Sequence, residues 1–316
     1  MTQLRPLGSS GFSTPALVLG GNVFGWTADE DASFAVLDAF MAAGGRMVDT
    51  ADVYSAWVPG HKGGESEGVI GRWIAARGRH PNLLISTKVG LLPGKGGKGL
   101  APERIAAACE ESLNRLGVDC IDLYFSHKDD PDTPLDEVMG AFAELVSAGK
   151  VKALGASQIG AERLSEALAA SDRLGLPRYS VIQPELNLIR RADYEGPLQA
   201  LAMEQNLGVI PYYGLASGFL TGKYRSPDDL GKSPRGGGMA KLLEGKGATV
   251  LAAMDAVAAE TGATLAQIAL AWNAAQPGVT APIASATSVA QLTELLGSLS
   301  LTLTDEQLAS LDAASR

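Results

Sequence analysis

Met47-Val48-Asp49-Thr50-Ala51-Asp52-Val53-Tyr54 opens as a short apolar run, ends that run in a carboxylate and continues into a loop that carries a tyrosine. Alone it reads as a strand entering a turn. Two further stretches repeat the arrangement. Leu83-Leu84-Ile85-Ser86-Thr87-Lys88 ends in an amine, and Ile121-Asp122-Leu123-Tyr124-Phe125-Ser126-His127 ends in an imidazole. Parallel strands joined by helices all finish on one side of their sheet, so polar residues at successive strand ends are brought together there.

The alternation runs the length of the chain. Strand-like runs fall at 16–20, 46–50, 83–88, 121–126, 151–156, 179–183, 209–212 and 280–283, with helical segments between them. Residues 134–149 place Leu135, Val138, Phe142, Leu145 and Val146 on one helical face, with Thr133 as the expected N-cap and Pro134 in the first position. Residues 102–116 and 249–260 repeat that spacing through Ile105, Cys109, Leu113 and Leu116, and through Val250, Met254 and Val257. Eight strands alternating with helices predict an α/β fold, a closed (β/α)8 TIM barrel rather than an open doubly wound sheet. Gly20-Gly21-Asn22 lacks the glycine spacing of a dinucleotide-binding turn. The first fifteen residues, with Leu4 to Leu7, a Gly-Ser-Ser-Gly turn and Phe12, predict a small hairpin capping the barrel bottom, and Thr304-Asp305-Glu306-Gln307 starts an extra C-terminal helix with a capping pattern. Long insertions at 55–66 and 222–247 leave from strand C-termini, the face where barrels of this kind carry their sites.

The composition supports this. Hydrophobic residues are 46% and charged residues 19%, enough apolar material for one barrel domain over residues 1–316 and too little charge for disorder. A net charge of −9 argues against nucleic acid and anionic membranes as partners. No apolar run approaches the roughly 18 residues of a membrane span, and the polar start predicts no secretory signal. Cys109 and Cys120 read as reduced residues, so a cytoplasmic protein is expected. The histidines lack metal-ligand spacing, so no metal site is expected.

Asp49, Tyr54, Lys88 and His127 form the set that a tuned proton donor needs. A free tyrosine titrates near pH 10 and is a poor acid at neutrality, and a nearby ammonium favours the phenolate. Lys88 supplies that charge and Asp49 holds it, so the pKa of Tyr54 is expected to fall. Tyr54 then serves as general acid to a carbonyl oxygen, and His127 donates a hydrogen bond that orients the carbonyl. None of these groups carries a hydride, so a redox cofactor is implied.

The chain resembles the aldo-keto reductases from end to end. The matching pieces are Asp-Thr-Ala-Asp-Val-Tyr at 49–54, Glu-x-x-Ile-Gly at 67–71, Thr-Lys at 87–88 and Ile-Asp-Leu-Tyr-x-x-His at 121–127. Further on come Gly-Ala-Ser-Gln at 155–158, Gln183, and Pro-Tyr-x-x-Leu-Ala-x-Gly-Phe-Leu-Thr-Gly-Lys-Tyr at 211–224, closer to bacterial members and potassium-channel β-subunits than to aldose reductases. The resemblance implies the barrel, the tetrad Asp49, Tyr54, Lys88 and His127, and NAD(P)H-dependent reduction of aldehydes and ketones.

It also implies a cofactor site. Ser157, Gln158 and Gln183 fall where the family holds the nicotinamide carboxamide, with Gln158 in place of the usual Asn. Tyr212 falls where an aromatic ring stacks on the nicotinamide. Leu215, Ser217, Gly218 and Lys223 fall in the segment over the pyrophosphate, and Ser233 and Arg235 where the channel-subunit branch binds phosphate. Ser285, Thr287, Gln291 and Glu294 match adenosine-side positions, but Leu295 replaces the usual Asn and the common basic residue is absent. NADP(H) is therefore expected from family habit and Arg235, with NAD(H) possible.

For the small-molecule carbonyl or alcohol substrate, Trp26 and Trp57 with Phe24, Tyr213 and Phe125 predict an aromatic mouth. The alternative is that these loop residues fold onto the barrel. Asp129, Asp130 and Asp132 read as a solvated loop. A regulatory subunit that binds cofactor with little turnover is the competing reading of the whole.

Overall fold

The computed structural model describes residues 3–233 and 236–316. Its strands are β1 (Arg5–Pro6), β2 (Ser13–Thr14), β3 (Val18–Gly20), β4 (Met47–Asp49), β5 (Leu84–Val89), β6 (Ile121–Ser126), β7 (Val151–Ser157), β8 (Tyr179–Gln183), β9 (Gly208–Val209) and β10 (Ile283–Ala284). β3 to β9 pair in parallel in chain order, and β10 pairs with β3. Backbone bonds close the ring on the other side: Thr280 N donates to Val209 O at 2.8 Å and Ile283 N to Pro211 O at 2.8 Å. The helices are α1 (Glu30–Ala42), α2 (Glu65–Arg77), α3 (Pro102–Leu116), α4 (Leu135–Ser147), α5 (Ala161–Leu174), α6 (Pro197–Glu204), α7 (Lys246–Thr261), α8 (Leu265–Ala275), α9 (Val289–Leu296) and α10 (Asp305–Ser315). Helices alternate with barrel strands, as the sequence pattern predicts for a (β/α)8 fold. α7 and α10 are the additions, packed on each other.

The barrel interior follows the two-residue period of a strand. Val18, Met47, Leu123, Phe125, Val181, Ile210 and Ile283 form an inner cluster distinct from the core between sheet and helices. Two residues beyond Met47, Phe125, Val181, Ile210 and Ile283 stand Asp49, His127, Gln183, Tyr212 and Ser285. One periodicity thus sets an apolar layer below and a polar layer at the mouth. Gly155 is obligatory in the lower layer: a Cβ there would stand 2.3 Å from the Phe125 ring. The β1–β2 hairpin plugs the bottom with fully buried Leu7. Its turn runs so close to β9 that a Cβ on Gly8, whose φ is +54°, would meet Gly208 N at 2.1 Å.

Several boundaries differ from expectation. α4 starts at Leu135 with Pro134 in the cap position, and Thr133 instead donates to Asp130 Oδ2 at 2.9 Å. α7 begins three residues before Thr249. The run 209–212 keeps only its start as ladder, and Tyr212 makes an isolated bridge with Glu185. Asp129 and Asp130 are not simply solvated: Asp129 pairs with Arg163 at 3.0 Å, and Asp130 accepts from Leu100 N at 2.8 Å, tying two loops together. Both cysteines are free. The expected cap on α10 is present as a reciprocal Thr304–Gln307 box. No helix among the described residues is long and apolar enough to cross a membrane.

Candidate active site

Asp49 ends β4 and Lys88 lies near the end of β5, both facing the barrel axis. Lys88 is fully buried and uses three donors: to Asp49 Oδ2 at 2.6 Å, to Thr50 O at 2.8 Å and to the Tyr54 hydroxyl at 2.8 Å. Asp49 is equally filled. Its Oδ1 accepts from Ser86 Oγ at 2.7 Å and Gln183 Nε2 at 3.0 Å, and its Oδ2 also accepts from Tyr54 at 3.3 Å. A buried ion pair is favourable only when its remaining lone pairs and protons are satisfied, and here they are. Lys88 Nζ also lies 4.6 Å from the Tyr54 ring centre, and the His127 ring packs edge-on to Tyr54 at 6.0 Å.

The electrostatics correct one expectation. Burial holds the Tyr54 hydroxyl well above the ordinary tyrosine value, and the Asp49 carboxylate pushes it the same way. Lys88, although it donates to the phenol oxygen at 2.8 Å, does not outweigh these effects in the resting protein. Tyr54 is therefore a protonated phenol throughout the neutral range. Burial, with Lys88 adding, pushes His127 well below the ordinary histidine value, leaving a neutral imidazole with one N–H to donate.

Above this set opens a cavity of about 890 Å³, within the range of small-molecule sites. Tyr54, His127, Trp26 and Trp57 line it at one part. Ser157, Gln158, Gln183, Tyr212, Leu215, Ser217, Gly218, Lys223, Ser233, Ser285, Thr287, Gln291 and Glu294 line it as well. Lys88 lies beneath it, and Arg235 lies outside the described residues. Some of these side chains hold one another. Ser157 Oγ donates to Gln183 O at 2.8 Å, Gln158 Nε2 to His127 O at 3.1 Å, and Gln291 Oε1 accepts from Thr287 N at 2.9 Å.

Ala216, Ser217 and Gly218 are successive left-handed residues, with φ of 46°, 56° and 94°. Ala216 N donates to Tyr213 O at 2.7 Å and Gly218 N to Leu215 O at 2.9 Å, which folds the segment into a tight turn on the cavity wall. With Lys223 and Lys232 on the same wall, the donor set suits a dinucleotide with its phosphates.

Residues 16–316 match the model of the aldo/keto reductase family. The chain belongs to the aldo/keto reductase family. It is 35% identical over 315 residues to an aldo-keto reductase of Strobilurus tenacellus, covering 96% of this chain and 83% of the other. It is 33% identical over 287 residues to an aldo-keto reductase of Schizosaccharomyces pombe whose name specifies NADP(+), covering 87% and 80%. A probable voltage-gated potassium channel subunit beta of Arabidopsis thaliana is 32% identical over 306 residues, covering 92% and 89%.

The mouth differs from expectation in two residues. Phe24 and Phe125 are fully buried, Phe24 in the outer core and Phe125 inside the barrel. Trp26 and Trp57 do reach the cavity and stack edge-to-face at 5.5 Å, joined there by half-exposed Tyr213 and by Leu91. Sequence reasoning missed Leu91, Asn22, Ser86 and Lys232. Asn22 Oδ1 accepts from Ser285 Oγ at 2.6 Å, and Lys232 Nζ pairs with Asp229 at 2.6 Å. Ser86 was readable, since it stands two positions before Lys88 and so on the same strand face. Leu91, Asn22 and Lys232 lie in loops, where no period assigns a direction.

Proposed function

We propose that the protein is an NADPH-dependent reductase of aldehydes and ketones in which Tyr54 is the proton donor. The observation that carries this reading is the Lys88 ammonium, buried between Asp49 at 2.6 Å and the Tyr54 hydroxyl at 2.8 Å beneath the cavity. Bound NADPH would supply the hydride to the carbonyl carbon, which no side chain here can do. The Tyr54 O–H gives its proton to the carbonyl oxygen. The phenolate left behind is held by Lys88, so the lysine acts on the state formed during the reaction rather than on the resting phenol. Neutral His127 donates a hydrogen bond that orients the carbonyl oxygen, and Asp49 keeps Lys88 in place. Trp26, Trp57, Tyr213 and Leu91 give the mouth an apolar, aromatic wall for the rest of the substrate.

The test is steady-state consumption of NADPH with benzaldehyde, with the alcohol quantified. Stoichiometric oxidation and alcohol formation are expected. The Arabidopsis relative's name favours one other reading, a cofactor-binding regulatory subunit. NADPH binding without turnover on a range of aldehydes and ketones would support that reading instead.

A further inference from the structure

Asp52 is fully buried, lies two positions from Tyr54, and has no part in the chemistry above. Both of its carboxylate oxygens are buried without a hydrogen-bond partner, and so is Arg104 Nε. The two side chains face each other, Arg104 Nη2 standing 3.7 Å from Asp52 Oδ2. Arg104 is fully buried as well, and its other contacts are to Glu111 at 2.9 Å and to Lys95 O at 3.0 Å. That second bond fixes the loop between β5 and α3, whose Leu91 lines the cavity. Asp52 N donates to Lys88 O at 3.3 Å, and Gly63, at the end of the loop that carries Trp57, packs on Asp52 O and Leu92.

We propose that Asp52 is a positioning residue whose charge, answered by Arg104, ties the segment bearing Tyr54 and Trp57 to the loop bearing Leu91. This rests on the reading that those two segments form the substrate mouth. Charge counting explains why the tie is conditional. Buried Asp52, Glu67 from α2 and Arg104 from α3 are joined at the cluster's edge by partly exposed Glu111 and Arg115 from α3, with Glu67 bound to Arg115 at 2.7 Å. Its three carboxylates meet two guanidiniums, and Asp52 is the carboxylate held most loosely, with Arg104 Nη2 at 3.7 Å. Lys88 of β5 also faces it but is held by Asp49.

Burial raises Asp52 to about 7, Glu67 adds to the rise, and Arg104 and Arg115 oppose it. Above neutrality the ionised carboxylate draws the Arg104 fork and tightens the tie. Below neutrality the protonated acid lets it slacken.

The experiment uses the full chain without substrate. Acrylamide quenching of tryptophan fluorescence reports Trp57, which is 49% exposed, between roughly pH 6 and pH 8. The wild type should show a transition near neutrality, and D52N should lack it and stay at the low-pH level. In turnover, the KM for benzaldehyde should change by roughly two- to tenfold across the same transition, with kcat less affected. A wild type without the transition, or D52N that retains it, overturns the proposal. Should D52N not fold, Arg104→Lys keeps a cation but loses the fork, and an unshifted midpoint in that variant overturns it equally. Because quenching needs no turnover, the result stands apart from whether the protein is a reductase.

Discussion

Lys88 Nζ stands 2.8 Å from the Tyr54 hydroxyl while bound at 2.6 Å to Asp49, so one buried ammonium serves a carboxylate and a phenol together. The carboxylate fixes the lysine, and in the proposed mechanism the lysine stands beside the oxygen that becomes negative when the phenol gives up its proton. Positive charge placed in advance beside developing negative charge needs no reorganisation at the moment of reaction.

Lys88→Met should therefore fail twice. Asp49 would keep its charge with no cation, and breaking a buried pair from one side costs about 3–5 kcal/mol. Denaturant unfolding should show that loss. Refolded variant should have lost most of its activity at every pH. A stable, active Lys88→Met protein would remove the lysine from the account.

Burial and the Asp49 carboxylate hold Tyr54 above the ordinary tyrosine value. A folded value above the unfolded one means that protonated Tyr54 contributes stability below about pH 10, lost as pH rises through the folded value. The stability of wild type should fall more steeply above about pH 10 than that of Tyr54→Phe. Reductive kcat/KM in the free enzyme should show no basic limb from Tyr54 below that pH. A limb near neutrality that vanishes in Tyr54→Phe would show a lowered phenol instead.

Trp57 is half exposed, stacks on Trp26 at 5.5 Å and lies 6.2 Å from the Tyr54 ring. Trp57→Ala should change the ratio of kcat/KM between bulky aryl and small aliphatic carbonyls while leaving the Kd of NADPH alone. Equal effects on all substrates would assign the ring to packing.

Lys232 lines the cavity and is partly neutralised by Asp229 at 2.6 Å. A charge-assisted contact contributes about 1.5–3 kcal/mol, one to two decades of affinity. Lys232→Ala should weaken NADPH by about tenfold and NADH by less, measured by quenching of protein fluorescence. Equal weakening would place the lysine at phosphates common to both.

What the sequence makes legible follows from period. Asp49, Gln183, Tyr212 and Ser285 each sit two residues beyond an inward apolar residue of a barrel strand, so counting along strands finds them. Helices with clear apolar faces, such as α3, are legible to the residue. Loops are not, which is why Lys232 and Asn22 escaped and why the placing of Phe24 and Phe125 at the mouth was wrong. The direction of the Tyr54 titration escaped for a different reason. Proximity of Lys88 is readable from strand order, but burial outweighs it, and burial of the loop tyrosine depends on how 55–64 folds back.

The most direct measurement is NADPH-dependent benzaldehyde reduction by Tyr54→Phe beside wild type, with the Kd of NADPH determined for both. Loss of the proton donor should lower kcat by a factor on the order of 10² or more and leave the Kd unchanged. A Tyr54→Phe enzyme that turns over at the wild-type rate would contradict the account.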